Sequence, residues 1–131
     1  MARRRTEMLT DVELELMIVL WKIKSGTVRH IMAALSDGTE RAYTSIATMM
    51  KILEDKGFAT SERRERTFYY APAIKKSDYE GRSLKNLSNS LFGGTPTALV
   101  ARLVDDGELT DEMIQEIKQI IDTRIGKDDS S

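Results

Sequence analysis

The sequence predicts a mainly α fold: a winged helix-turn-helix domain over residues 1–74, then a helical region over residues 75–131 that ends in a flexible tail. Three observations carry this. Three short amphipathic segments follow one another between Thr10 and Lys56. Two β-prone runs joined by an arginine-rich tip come next. From about Ser77 onward the pattern is helical, with no further strand.

Thr10-Asp11-Val12-Glu13 fits a capping box, in which the Thr10 hydroxyl accepts from the Glu13 amide and the Glu13 carboxylate reaches back to the Thr10 amide. Leu9 and Leu14 fit the matching hydrophobic staple. The first helix then runs to about Lys22, with Leu14, Met17, Ile18 and Trp21 on its expected buried face. A second begins near Thr27, buries Val28, Ile31, Met32 and Leu35, and stops at Asp37-Gly38. The third covers 43–56, where Ile46, Met49, Met50 and Leu53 recur at the spacing of an apolar stripe. Phe58–Glu62 and Thr67–Ala71 form a hairpin ended by Pro72. Its tip, Arg63-Arg64-Glu65-Arg66, lacks the Asn-Gly or Gly-X pair of a tight turn, which predicts a loop of about four residues or more.

Beyond Ser77, Leu84, Leu87 and Leu91 form a stripe that ends at Gly93-Gly94. Thr95-Pro96 reads as an N-cap followed by proline at the first helical position. Leu99, Val100, Leu103 and Val104 give that helix its apolar side, and Asp105-Asp106-Gly107 ends it. Thr110 caps the last helix, Asp111 and Glu112 suit its positive amino end, and Ile114, Ile117, Ile121 and Ile125 form its stripe.

At 131 residues, 40% apolar and 31% charged, the chain suits one small domain with an appendage. No apolar run approaches the roughly 18 residues of a membrane span. Arg3-Arg4-Arg5 leads into Thr6-Glu7 and not into an apolar signal-peptide core, so a cytoplasmic protein with no membrane partner is expected. With no cysteine and one histidine, His30, neither a zinc site nor any cofactor is expected. Catalysis is not expected either, because a nucleophile, base and stabiliser cannot be assembled from these residues. The net charge of −1 conceals an asymmetry, since residues 1–72 carry +2 and residues 73–131 carry −3.

The third helix has two faces of different purpose. Thr44, Ser45, Thr48 and Lys51 lie away from its apolar stripe, and short hydroxyls with one cation suit a DNA groove. Any surface helix is polar outside, so this alone would not decide; the basic hairpin that follows does. The reading is a recognition helix whose Tyr43, Thr44, Ser45, Thr48 and Lys51 meet base edges. Thr27, Arg29, Arg41, Arg63, Arg64 and Arg66 are the expected contacts to the DNA backbone. A winged helix that binds only another protein is the alternative.

The narrow stripes of the last three helices give a single chain little to bury. They are read as a dimerisation arm, through Leu84, Leu87, Leu91, Leu99, Leu103, Ile114, Ile117 and Ile121, and a two-fold homodimer would match a palindromic duplex. Packing back onto the same chain is the other possibility.

Leu20-Trp21, Thr27-Val28-Arg29, Ala42-Tyr43-Thr44-Ser45-Ile46, Asp55-Lys56-Gly57 and, more weakly, Leu91-Phe92-Gly93-Gly94 together resemble the BlaI/MecI/CopY-type repressors. The resemblance implies a bacterial homodimeric transcriptional repressor on a dyad operator near its own promoter and target genes. It also places the family's recognition positions on Tyr43, Thr44, Ser45, Thr48 and Lys51. Lys51-Ile52 stands where many relatives have an acidic or polar residue followed by arginine, which implies different preferred bases. Lacking cysteine, the chain departs from the metal-responsive members. Penicillinase-type members are inactivated when a sensor triggers cleavage at an Asn-Phe bond, and the corresponding bond here is Arg102-Leu103. A sensor protease is thus a partner by resemblance only.

Overall fold

The computed structural model describes residues 8–35 and 41–129, with side chains described as far as 125. Its elements are α1 (Asp11–Ile23), α2 (Val28–Ala34), α3 (Tyr43–Asp55), β1 (Ala59–Arg64), β2 (Thr67–Pro72), α4 (Lys76–Leu91), α5 (Pro96–Asp105) and α6 (Asp111–Asp129). The chain divides into two compact units between Leu84 and Lys85. The expected helix stop at Asp37-Gly38 and the end of the tail lie outside the described residues.

The first unit is a winged helix. Leu16, Met17 and Leu20 of α1 meet Ile31 of α2, Ile46, Met50 and Leu53 of α3, and Phe58 just before β1, all fully buried or nearly so. The stripe of α3 matches the expected one, apart from a half-buried Met49. That of α1 does not. Ile18 is 46% exposed, while Leu16, Val19 and Leu20 take the buried positions and Leu14 and Trp21 sit at the margin. The expected stripe was therefore out of phase. The cause is that α1 is covered by α2, α3 and β2 together, so its apolar face is wide and its centre cannot be fixed from spacing. Trp21 stays at the edge because its Nε1–H donates to the Ile74 carbonyl at 2.9 Å.

The predicted capping box of α1 is present, and it does more than cap. Glu13 is only 3% exposed, and its carboxylate accepts from the Thr10 amide at 2.9 Å and from Lys56 Nζ at 2.8 Å. The end of α3 is thereby tied to the start of α1. Burial, the largest influence, pushes the Glu13 carboxyl upward, but the Lys56 ammonium and the Thr10 amide outweigh it and hold the group below its ordinary value of 4.5. A depressed carboxylate stabilises the fold above its unfolded-state pKa, and that stability is lost as pH falls through the folded value. Glu13→Gln, which leaves Lys56 without its partner, is expected to cost about 3 kcal/mol in urea unfolding at pH 7. The gap from the parent should close below the ordinary carboxylate range; a gap of equal size at pH 3 would contradict the assignment.

The wing differs from expectation at its tip. The strands are antiparallel and paired from Ala59↔Pro72 to Arg64↔Thr67, so only Glu65 and Arg66 form the turn. The reason lies in the last rungs, where Arg63 faces Phe68 directly and Arg64 reaches diagonally to Tyr69. These pairs extend the strands two residues further, and Glu65 accommodates the turn at φ 58°. Local turn chemistry was overridden by cross-strand packing. At the base of the wing, Gly26 and Tyr70 exchange backbone hydrogen bonds of 3.0 and 2.8 Å, which stitches the α1–α2 connection to β2. A Cβ at Gly26 would lie 2.9 Å from the His30 Cβ, so only glycine fits there.

The second unit is helical, as predicted. The Gly94 amide returns to the Ser88 carbonyl at 2.9 Å, and Gly107, at φ 72°, ends α5. Thr110 accepts from the Met113 amide at 3.1 Å and caps α6. Thr95, expected to cap α5, makes no side-chain cap; its hydroxyl donates to the Phe92 carbonyl at 3.1 Å. Pro96 begins the helix without that help. No apolar side chain from 85 to 125 is buried among the described residues.

Candidate nucleic-acid interface

α3 starts at Tyr43 after Ala42, which offers no side-chain cap. Tyr43, Thr44, Ser45, Thr48 and Lys51 are all exposed, turned away from the face that buries Ile46, Met50 and Leu53. Lys51 Nζ lies 4.0 Å from Asp55, and both side chains are about two-thirds exposed, so the pair is weak and the ammonium is free to exchange partners.

The expected backbone contacts fall into different surroundings. The Thr27 hydroxyl is engaged as the cap of α2, accepting from the His30 amide at 3.1 Å while His30 Nδ1 accepts from the Thr27 amide at 3.0 Å. Arg41 is held by Glu15 at 2.8 Å, with its side chain only 24% exposed, and so joins α1 to the start of α3. Arg29, Arg63, Arg64 and Arg66 are exposed. Arg29 lies over the Tyr43 ring at 5.1 Å, Arg63 over Phe68 at 6.0 Å, and Arg64 over Tyr69 at 4.7 Å. Arg64 also meets Glu62 at 3.1 Å.

Between α3, β2 and the start of α2 runs a cleft of about 460 Å³, whose lining includes Arg29, His30, Tyr43, Arg66, Phe68 and Tyr70. Burial raises the Tyr70 phenol above its ordinary value, and the Glu54 carboxylate adds to the effect. The lining carries the two guanidinium groups of Arg29 and Arg66 and no carboxylate. A convex polar helix beside a cationic cleft and a basic wing is the arrangement that meets a grooved, negatively charged rod.

The sequence model of the penicillinase repressor family matches residues 9–123. The chain belongs to that family. It is 29% identical over 119 residues to the "Penicillinase repressor" of Bacillus licheniformis, covering 91% of this chain and 93% of the relative. To the "Methicillin resistance regulatory protein MecI" of Staphylococcus aureus it is 23% identical over 120 residues, covering 92% of this chain and 98% of the relative. Among solved structures it is similar to the DNA-binding domain of the repressor BlaI, with 35% identity and a TM-score of 0.48 over 54% of this chain and 87% of that one. It is also similar to B. licheniformis BlaI solved in monomeric form with the blaP half-operator, with 34% identity and a TM-score of 0.48 over 56% and 90%. This penicillinase-repressor chain is accordingly a DNA-binding transcriptional repressor.

Several parts of the repressor's site escaped the sequence reading. Thr27-Val28-Arg29-His30 has capping-box spacing and forms the box, but histidine is not the residue that spacing ordinarily signals. Phe68-Tyr69-Tyr70 was read as strand-forming alone. Phe68 lies opposite Arg63 and Tyr69 diagonal to Arg64, a placement that becomes visible only once the register is known.

Proposed function

We propose that this repressor is a cytoplasmic homodimer on a dyad operator. Residues 1–84 would form each reading unit and 85–131 the dimer arm. Tyr43, Thr44, Ser45, Thr48 and Lys51 meet base edges, and Arg29, Arg63, Arg64 and Arg66 meet phosphates. Thr27 and Arg41 act chiefly as a helix cap and a brace for α3, their polar groups being engaged within the protein. The observation that carries this reading is the exposure of the whole polar face of α3 beside three wing arginines. Dimerisation is supported by exposed Leu87, Leu91, Leu103, Ile117 and Ile121 in the arm, with Leu99 and Ile114 half-buried there, and by exposed Leu84 at the end of the reading unit. Exposed apolar stripes of this kind are read as an interaction site.

Alanine at Thr48 or Lys51 should reduce discrimination between bases by about 1–3 kcal/mol for a bidentate-quality contact, and by less for a single one. Alanine at Arg63, Arg64 or Arg66 should weaken all sequences alike and reduce the salt dependence of binding, because phosphate contacts release counterions. Duplex competition at several salt concentrations measures both. Discrimination lost from the wing variants and retained in the α3 variants would reverse the assignment, and binding indifferent to salt would indicate a protein partner.

A further inference from the structure

Three of the four exposed arginines assigned to the DNA face rest on aromatic rings, and the rings come from two elements. Tyr43 opens α3, while Phe68 and Tyr69 are neighbours on β2 whose side chains leave opposite faces of the hairpin. Phe68 is 50% exposed and Tyr43 45% exposed, values high for large aromatic side chains that contribute only to a core. An arginine in solution samples many rotamers, and immobilising one on binding costs affinity. A ring beneath the guanidinium narrows that choice before DNA arrives.

We infer that Phe68 and Tyr69 are positioning residues that hold Arg63 and Arg64 in place for phosphate contact. Arg64 is held most firmly, between the Tyr69 ring at 4.7 Å and the Glu62 carboxylate at 3.1 Å. The inference rests on the DNA-backbone role proposed above for these arginines and adds the device that prepares them. Because the rings themselves carry no charge, their removal should weaken binding without changing the number of counterions released.

The test uses the full-length protein and one duplex carrying its preferred site, recovered from a random pool. Affinity is measured across a salt series for Phe68→Leu and Tyr69→Leu, for the ring-retaining Phe68→Tyr and Tyr69→Phe, and for alanine at Arg63 and Arg64. Thermal unfolding confirms that each variant folds. Each leucine variant is expected to bind about two- to fivefold more weakly with an unchanged salt slope. The ring-retaining variants should bind like the parent, and each arginine variant should lose both affinity and slope. A double-variant cycle of Arg64→Ala with Tyr69→Leu should be non-additive, the ring ceasing to matter once its arginine is gone. Leucine variants with parental affinity, or a slope that falls together with affinity, would overturn the inference while leaving the phosphate contacts standing. Arginine variants without effect would overturn the backbone assignment and this inference with it.

Discussion

Aspartate at both Ile117 and Ile121 is expected to lower affinity for a full dyad operator by about 10²–10⁴-fold, while affinity for an isolated half-site stays near the parental value. The two side chains are 36% and 49% exposed on α6, in a unit with no buried apolar side chain among its described residues. Helices as short as α5 gain most of their stability from packing an apolar face, so α5 and α6 need a partner surface. In the proposed homodimer a second copy would supply that surface and join two reading units. Once one unit binds its half-site, the other is confined near the second, which raises its effective concentration without any new DNA contact. Two recognition helices related by a two-fold axis should then lie about 34 Å apart, or a multiple of that, set by the helical repeat of DNA. Sedimentation should show the parent as a dimer at micromolar concentration and the double variant as a monomer. A parent that sediments as a monomer and discriminates poorly between full and half sites would refute the arm's assignment.

What was legible in the sequence was local. The caps at Thr10 and Thr110, Pro96 at the start of α5 and Gly107 at its end follow from contacts within a few residues, and they lie where spacing placed them. The stripe of α3 was equally clear, because one side of that helix meets the core and the other is exposed. Features fixed across long separations were not legible. The Glu13–Lys56 ion pair joins residues 43 apart, and the Leu9–Tyr79 hydrogen bond spans 70. The phase of α1 and the tight turn at Glu65 belong to the same class, since each is decided by what packs across from it. The candidate site shows the same division. The exposed polar face of α3 is visible as a helical pattern, whereas the aromatic rings beneath the arginines require the register of the hairpin.

Loss of Tyr79 is expected to be among the most destabilising single changes in the reading unit, about 3–5 kcal/mol for Tyr79→Ala. Although it belongs to α4, it is only 7% exposed and is part of the winged-helix core. Its ring meets Phe58 edge-on at 6.0 Å and Trp21 at 6.1 Å, and its hydroxyl accepts from the Leu9 amide at 2.8 Å. Alanine would open a cavity against two other aromatic rings and leave the Leu9 amide without its partner. Tyr79→Phe removes only the hydrogen bond and should cost about 1–2 kcal/mol. The same residue decides where the reading unit ends. A fragment ending at 74 lacks Tyr79 altogether, whereas one ending at 84 retains it within the first nine residues of α4. Urea unfolding of the two fragments should therefore differ by at least the Tyr79→Ala penalty, with the longer one unfolding in a single cooperative transition. Equal stability of the two would mean that Tyr79 covers the core without contributing to it, and would return the boundary to 74.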